Sequence, residues 1–215
     1  MTPIALLASL ALAAGAGETE STTPYATLYP VLAPVRAIDG YERLVAIQRV
    51  ESKIGAQAKD IRIVIHARSG PMPVPVAADG EVKFPVTDAL REENPPVETN
   101  QPKGSLALIV NVALRGADKL RVPWSDIEAG LGDVRTFYEK TQSAATAPAI
   151  SGVEVHFSAG SAAMLTIEGK GERLLMADPN GRIIVTRDMA PPSESPTLVF
   201  SRAPAFVLPY SDDKK

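Results

Sequence analysis

His66 and His156 are the only imidazoles in the chain, so a histidine base for hydrolysis would have to be one of them. Each falls on the polar side of an alternating segment. His66 lies between Arg62 and Arg68, and His156 between Glu154 and Ser158, which predicts two exposed strand residues. A serine triad is defined by geometry and not by chain order, yet no G-x-S-x-G elbow is present. Gly104-Ser105 and Gly160-Ser161 both lack the second glycine.

Other chemistries find less to work with. Two histidines about ninety residues apart cannot form H-E-x-x-H, and the chain has no cysteine. Asp178-Pro179-Asn180-Gly181 has the start of a calcium loop without its later carboxylates, and reads as a turn. Gly169-Lys170-Gly171 lacks the third glycine of a phosphate cradle and reads as a hairpin loop. Of the carboxylate pairs, Glu92-Glu93 reads as solvated surface, and Asp126 with Glu128 as the start of a helix. The single tryptophan, Trp124, precedes that helix and is expected to pack between helix and sheet. The sequence therefore predicts no catalytic, cofactor-binding or metal-ligating residue.

The elements that would carry any site are mostly short strands. Ile61, Ile63, Ile65 and Ala67 alternate with Arg62, Val64, His66 and Arg68, and Val82, Phe84 and Val86 follow the turn Ala78-Asp79-Gly80. Leu106 to Leu114 is the clearest strand, with large apolar residues at every second position. Val153, Val155 and Phe157 open a second set. It continues through Leu165, Ile167, Leu174 to Ala177, Ile183, Val185, Thr197 to Phe200 and Ala205 to Leu208. Asn180-Gly181 between two apolar runs is a strong hairpin signal. Such alternation suits antiparallel sheets with one wet face. One helix is predicted over 125–140. Ser125 and Glu128 have capping-box spacing, and Ile127, Leu131, Val134 and Tyr138 form a stripe.

Ile4 to Ala14 is an apolar run of signal-peptide length, too short to span a bilayer, and Ala14-Gly15-Ala16 offers a cleavage site after Ala16. The n-region Met1-Thr2-Pro3 lacks a basic side chain. The sequence thus reads as a signal peptide over 1–16 and an N-terminal arm over 17–41. A first β-rich module follows over 42–141, then a linker over 142–151 and a second β-rich module over 152–215. Pro24, Pro30 and Pro34 predict an arm that is extended or at most one helical turn. The fold class is mainly β, with antiparallel sandwich-like modules and one central helix.

The two modules share a pattern. Asp79-Gly80-Glu81-Val82-Lys83-Phe84 leads to Glu93-Asn94-Pro95-Pro96-Val97, and Asn180-Gly181-Arg182-Ile183-Ile184-Val185 leads to Glu194-Ser195-Pro196-Thr197-Leu198. The offset is 101 residues from Gly80 and Gly181 through to Pro95 and Pro196. The second-half turn also resembles the hairpin of transthyretin-like and carboxypeptidase-regulatory-like sandwiches. Gly80-Glu81-Val82-Lys83-Phe84-Pro85, Glu93 to Val97, and Asn100 to Leu106 together resemble a family of uncharacterised exported proteins of Gram-negative bacteria. That resemblance implies periplasmic residence and supplies no functional residues.

With 45% hydrophobic and 22% charged residues the composition is globular, and a net charge of −3 with no basic stripe argues against a nucleic-acid partner. Aromatic residues are 5% of the chain, too few for a carbohydrate-binding face. The reading favoured here is a periplasmic or secreted, non-catalytic binding or envelope-scaffold module without cofactors. Its partner would be another envelope protein, docked at a sheet edge near Pro95-Pro96 or Pro196. The alternatives are a hydrolase of envelope polymers or peptides using His66 or His156, and a protease inhibitor or assembly chaperone.

Overall fold

The computed structural model describes residues 20–141, 148–158, 160–191 and 195–212. The leader expected at 1–16 and most of the linker expected at 142–151 lie outside them. Two compact units emerge, an N-terminal one of 20–37 and 46–111 and a C-terminal one of 38–45 and 112–212. The chain is mainly β, and its paired strands run antiparallel.

The N-terminal unit is built from β1 (Ser21–Pro24), α1 (Tyr25–Ile38), β2 (Leu44–Ser52), β3 (Ile63–Ala67), β4 (Gly70–Val74), β5 (Glu81–Val82), α2 (Asp88–Glu93), β6 (Pro96–Thr99) and β7 (Leu106–Leu114). Its sheets have the orders β1-β6-β3-β4 and β5-β2-β7. The first residues of β2, the last of β7 and Ile38 group with the C-terminal unit. That unit adds β8 (Arg121–Pro123), α3 (Trp124–Thr141), β9 (Ile150–His156), β10 (Met164–Glu168), β11 (Arg173–Met176), β12 (Arg182–Thr186), β13 (Thr197–Phe200) and β14 (Phe206–Ser211). Its sheet orders are β8-β13-β10-β11 and β12-β9-β14.

Strand for strand, the two sets of orders correspond. So do the turns that hold them. The Val50 N–H donates to Gly80 O at 2.8 Å, and the Phe157 N–H to Gly181 O at 2.7 Å. A Cβ on Gly80 would come within 2.7 Å of Val50 O, and one on Gly181 within 2.6 Å of Phe157 O. Both glycines have positive φ, so glycine is needed at each for two separate reasons. Asn94 and Ser195 share left-handed backbone with φ of 51° and 49°. The prolines that follow them accept from the first residue of a helix, Tyr25 N–H to Pro95 O and Trp124 N–H to Pro196 O, each at 2.9 Å.

Several expectations need correction. Residues 25–38 form a full helix despite Pro30 and Pro34. The carbonyls those prolines leave without a donor belong to Ala26 and Pro30, both exposed, so water can meet them. Tyr25, Val31, Leu32 and Ile38 are buried along the other side. Asn94 Oδ1 accepts from the Ala26 N–H at 2.8 Å, capping the helix from 68 residues away.

The helix predicted at the end of the first module, observed as α3, belongs to the C-terminal unit instead. The strand leading into it, β8, pairs with β13, and Glu128 meets Arg187. Glu128 does not close a capping box. Its Oε1 accepts from Trp124 Nε1 at 3.1 Å, and its two oxygens take Arg187 Nε and Nη2 at 2.9 and 3.1 Å. The stripe itself holds, with Ile127, Leu131, Val134 and Tyr138 all buried. Finally, the turn at Asp178–Gly181 does not join two strands of one sheet. It passes the chain from β11, paired with β10, to β12, paired with β9.

Close approach and burial give direct tests. Gly152, central in β9, would place a Cβ 2.1 Å from Val185 O, whereas Gly132 in α3 meets nothing within 4 Å. Gly152→Ala is expected to cost about 3 kcal/mol or more, and Gly132→Ala to add about 1 kcal/mol, in urea unfolding. Burial pushes the hydroxyls of Tyr25 and Tyr138 up to about 12. The stability they contribute is complete below pH 10, the unfolded value, and is lost as pH rises through about 12. The hydrogen bond to Asp212 raises the Tyr210 hydroxyl as well, so phenolate absorbance should show three of the five tyrosines ionising late, Tyr25 and Tyr138 together with unfolding. Tyr25 donates to Pro85 O at 2.7 Å while the Tyr138 hydroxyl is buried without a partner among the described residues. Tyr25→Phe should cost about 1 kcal/mol and Tyr138→Phe nothing.

Candidate functional site

The histidines part company in the structure. His66 on β3 is exposed, with Nε2 3.0 Å from Glu98 Oε2 on β6, and each side chain is 42% exposed. His156 is not an exposed strand residue. Its side chain is 19% exposed, its ring stacks on Phe206 with centroids 4.4 Å apart, and Glu154 beside it is 2% exposed. Nε2 lies 2.8 Å from Glu154 Oε1, off the line of a hydrogen bond, and both atoms are buried without a hydrogen-bond partner among the described residues. Arg182 Nη1 stands 3.6 Å from the same oxygen and holds Asp178 at 3.0 Å through Nη2. Backbone and side-chain donors of Arg182 keep the Asp178 carboxyl below the usual range. This is a charge cluster in the side of a sheet.

Three cavities stand out among the described residues, one of them about 210 Å³ beside Pro24, Asn94 and Pro96 in the N-terminal unit. In the same unit a second, of about 90 Å³, is lined by Leu28, Val31, Ile63, Phe84, Val97 and Leu108 among others, with Thr99 at its wall. In the C-terminal unit one of about 300 Å³ is lined by Arg43, Arg115, Lys119 and Asp126. Two of its cations are already engaged, Arg115 with Leu44 O at 3.0 and 3.1 Å and Arg43 with Asp133 at 3.4 Å. Neither histidine lines any of these three cavities.

At the proline corners the outgoing strands are inner ones. Pro96 begins β6, which lies between β1 and β3, and Pro196 leads into β13, which lies between β10 and β8. A strand with neighbours on both sides has no edge to offer, and the corner carbonyls are used to start α1 and α3.

The open edge with the clearest geometry is β11. Among the described residues it ends its sheet, paired only with β10, with Leu165 opposite Leu175 and Thr166 opposite Leu174. One step on, the Ala177 N–H donates to Ala163 O at 3.0 Å. In an antiparallel pair, the residues whose main-chain groups face the partner alternate along the strand. Arg173, Leu175 and Ala177 therefore face β10, and Leu174 and Met176 turn their N–H and C=O groups outward. The same two residues carry exposed apolar side chains, Leu174 at 61% and Met176 at 70%. Met164, opposite Met176, is 39% exposed.

The corresponding edge of the N-terminal unit is closed. There β4 pairs with β3, Ile63 opposite Val74 and Ile65 opposite Met72. Because the Asn100 N–H donates to Arg62 O, the even-numbered residues of β3 face β6 and the odd-numbered ones face β4. Positions 71, 73 and 75 then point their main-chain nitrogens outward, and all three are proline. The positions 101 residues on are Glu172, Leu174 and Met176. A proline edge has no donor to give a further strand. The signal was present in the sequence as the alternation Pro71-Met72-Pro73-Val74-Pro75, and its meaning needed the register.

Against known proteins, the chain matches no family model, no curated protein and no solved structure.

The two histidines should respond differently to replacement. His66→Gln is expected to change unfolding free energy by less than about 0.5 kcal/mol. His156→Ala strips Glu154 of its nearest neighbour and the Phe206 ring of its stack, and should cost about 1–3 kcal/mol. Equal effects in chemical denaturation would contradict this description of the cluster.

Proposed function

We propose that the chain is an exported, non-catalytic binding module that takes an extended segment of a partner protein as an added strand on β11. One observation carries the reading: outward main-chain donors and acceptors coincide with the exposed Leu174 and Met176. Main-chain hydrogen bonds give such docking its affinity, and alternate side chains give it selectivity. Export is supported by the apolar run Ile4 to Ala14 with its small residues at 14 and 16. The two units are read as descendants of one duplicated module. The constant offset, the matching strand orders and the paired turns support that reading. On this view one copy kept a blocked edge while the other gained a binding edge.

The discriminating substitution copies the closed edge onto the open one. In Leu174→Pro the lost donor is one that β10 does not use, so the sheet should survive. The probe is a labelled peptide of alternating valine and threonine, an extended strand former. It should bind the wild-type protein and lose about tenfold or more in Leu174→Pro, the worth of one or two main-chain hydrogen bonds. Equal binding to both proteins, or to neither, would remove the strand-addition reading. Export is checked separately, by N-terminal sequencing of the protein recovered from the periplasm, where the first residue should be Gly17.

A further inference from the structure

We infer that the strand docking on β11 is β11 of a second copy, running antiparallel and giving a reversible dimer with two-fold symmetry. This rests on the strand-addition reading and names its occupant.

Geometry restricts how two copies can meet. Only Leu174 and Met176 within β11 present outward main-chain groups, so a residue of this set must face another of the same set. A two-fold axis beside Leu175 satisfies that rule. It sets Leu174 of one copy opposite Met176 of the other, and the reverse, so that both outward N–H groups and both outward carbonyls of each copy find partners. Registers that bring Arg173 or Leu175 opposite these residues fail, because the main-chain groups of both are spent on β10.

The side chains fit the same axis. Leu174, Met176 and Met164 project from one face of the sheet, since Met164 is directly opposite Met176. Pairing about Leu175 brings the six side chains of two copies into one continuous apolar patch. An unrelated strand would have to supply that surface itself. In this register Glu172 of each copy falls opposite Asp178 of the other, which Arg182 already holds. The apolar contact therefore carries the pairing, and the like charges at its ends weaken it. The contact is isologous, and the proline edge at β4 gives the pairing no route to continue.

The interface is small. A four-residue strand and three side chains from each copy bury less than the ~1,200 Å² at the lower end of stable complexes. The dimer should therefore be weak and concentration-dependent.

Sedimentation equilibrium of the mature, full-length protein over about two decades of micromolar concentration tests this. The wild-type weight-average mass should rise toward twice the single-chain value. Leu174→Pro and, independently, Met176→Lys should hold it at the single-chain value with unchanged circular dichroism. The lysine variant keeps the main chain intact, so it serves even where the proline variant fails to fold. Pro73→Leu, on the other unit's edge, should leave the wild-type behaviour unaltered. A wild-type protein that stays single throughout would overturn the self-pairing, as would variants that dimerise equally well. Failure of the dimer alone is recognisable because the valine–threonine peptide would still bind the wild type and lose affinity for Leu174→Pro. Failure of the strand-addition reading would abolish that difference too.

Discussion

Every backbone N–H and C=O in a sheet points to one side of its strand or the other, and each must meet a partner or water. That rule decides most of what distinguishes the two units here. Inner strands such as β6 and β13 spend both sides on neighbours, so their proline corners are confined to the strand ends. The prolines of β4 fall only on the outward parity, where a missing donor costs the ladder nothing. On β11 the same parity is occupied by leucine and methionine, and the donors remain. A single frame of strand orders thus gives one edge that refuses pairing and one that permits it.

The same accounting explains how α1 persists. Pro30 and Pro34 remove two donors four residues apart, and the carbonyls affected lie on the exposed side. Its first amides are met by Pro95 O and Asn94 Oδ1. In the other unit Trp124 takes its amide bond from Pro196 and ties its indole to Glu128, which Arg187 holds in turn. Each helix is anchored by a corner about seventy residues further along the chain. Replacing the corner would therefore affect a helix distant in sequence.

The strands were legible in the sequence because their period of two is a local property. Leu106 to Leu114 and the Ile63–Ala67 segment appear where alternation places them. The helix over 25–38 was legible in part: Tyr25, Leu28, Tyr29 and Leu32 have helical spacing, but the prolines argued against it. What offset them, Asn94 and Pro95, lies far along the chain and carries no local mark. Glu154 and His156 alternate with Val153 and Val155 as exposed residues would, yet Glu154 is buried, because alternation does not say what covers the second face. That α3 groups with the C-terminal unit was hidden for a similar reason. The pairing of β8 with β13 is a long-range fact. The binding edge was half visible, as a proline alternation in one unit and its absence in the other, and only the register gave it a direction.

Amide hydrogen exchange, followed residue by residue in dilute solution, tests the outward parity of β11 most directly. Arg173 and Leu175 should exchange slowly with the sheet, while Leu174 and Met176 between them exchange as fast as unstructured amides. Protection of all four to the same degree would contradict the account, since it would mean that the edge is already paired or that the register is different.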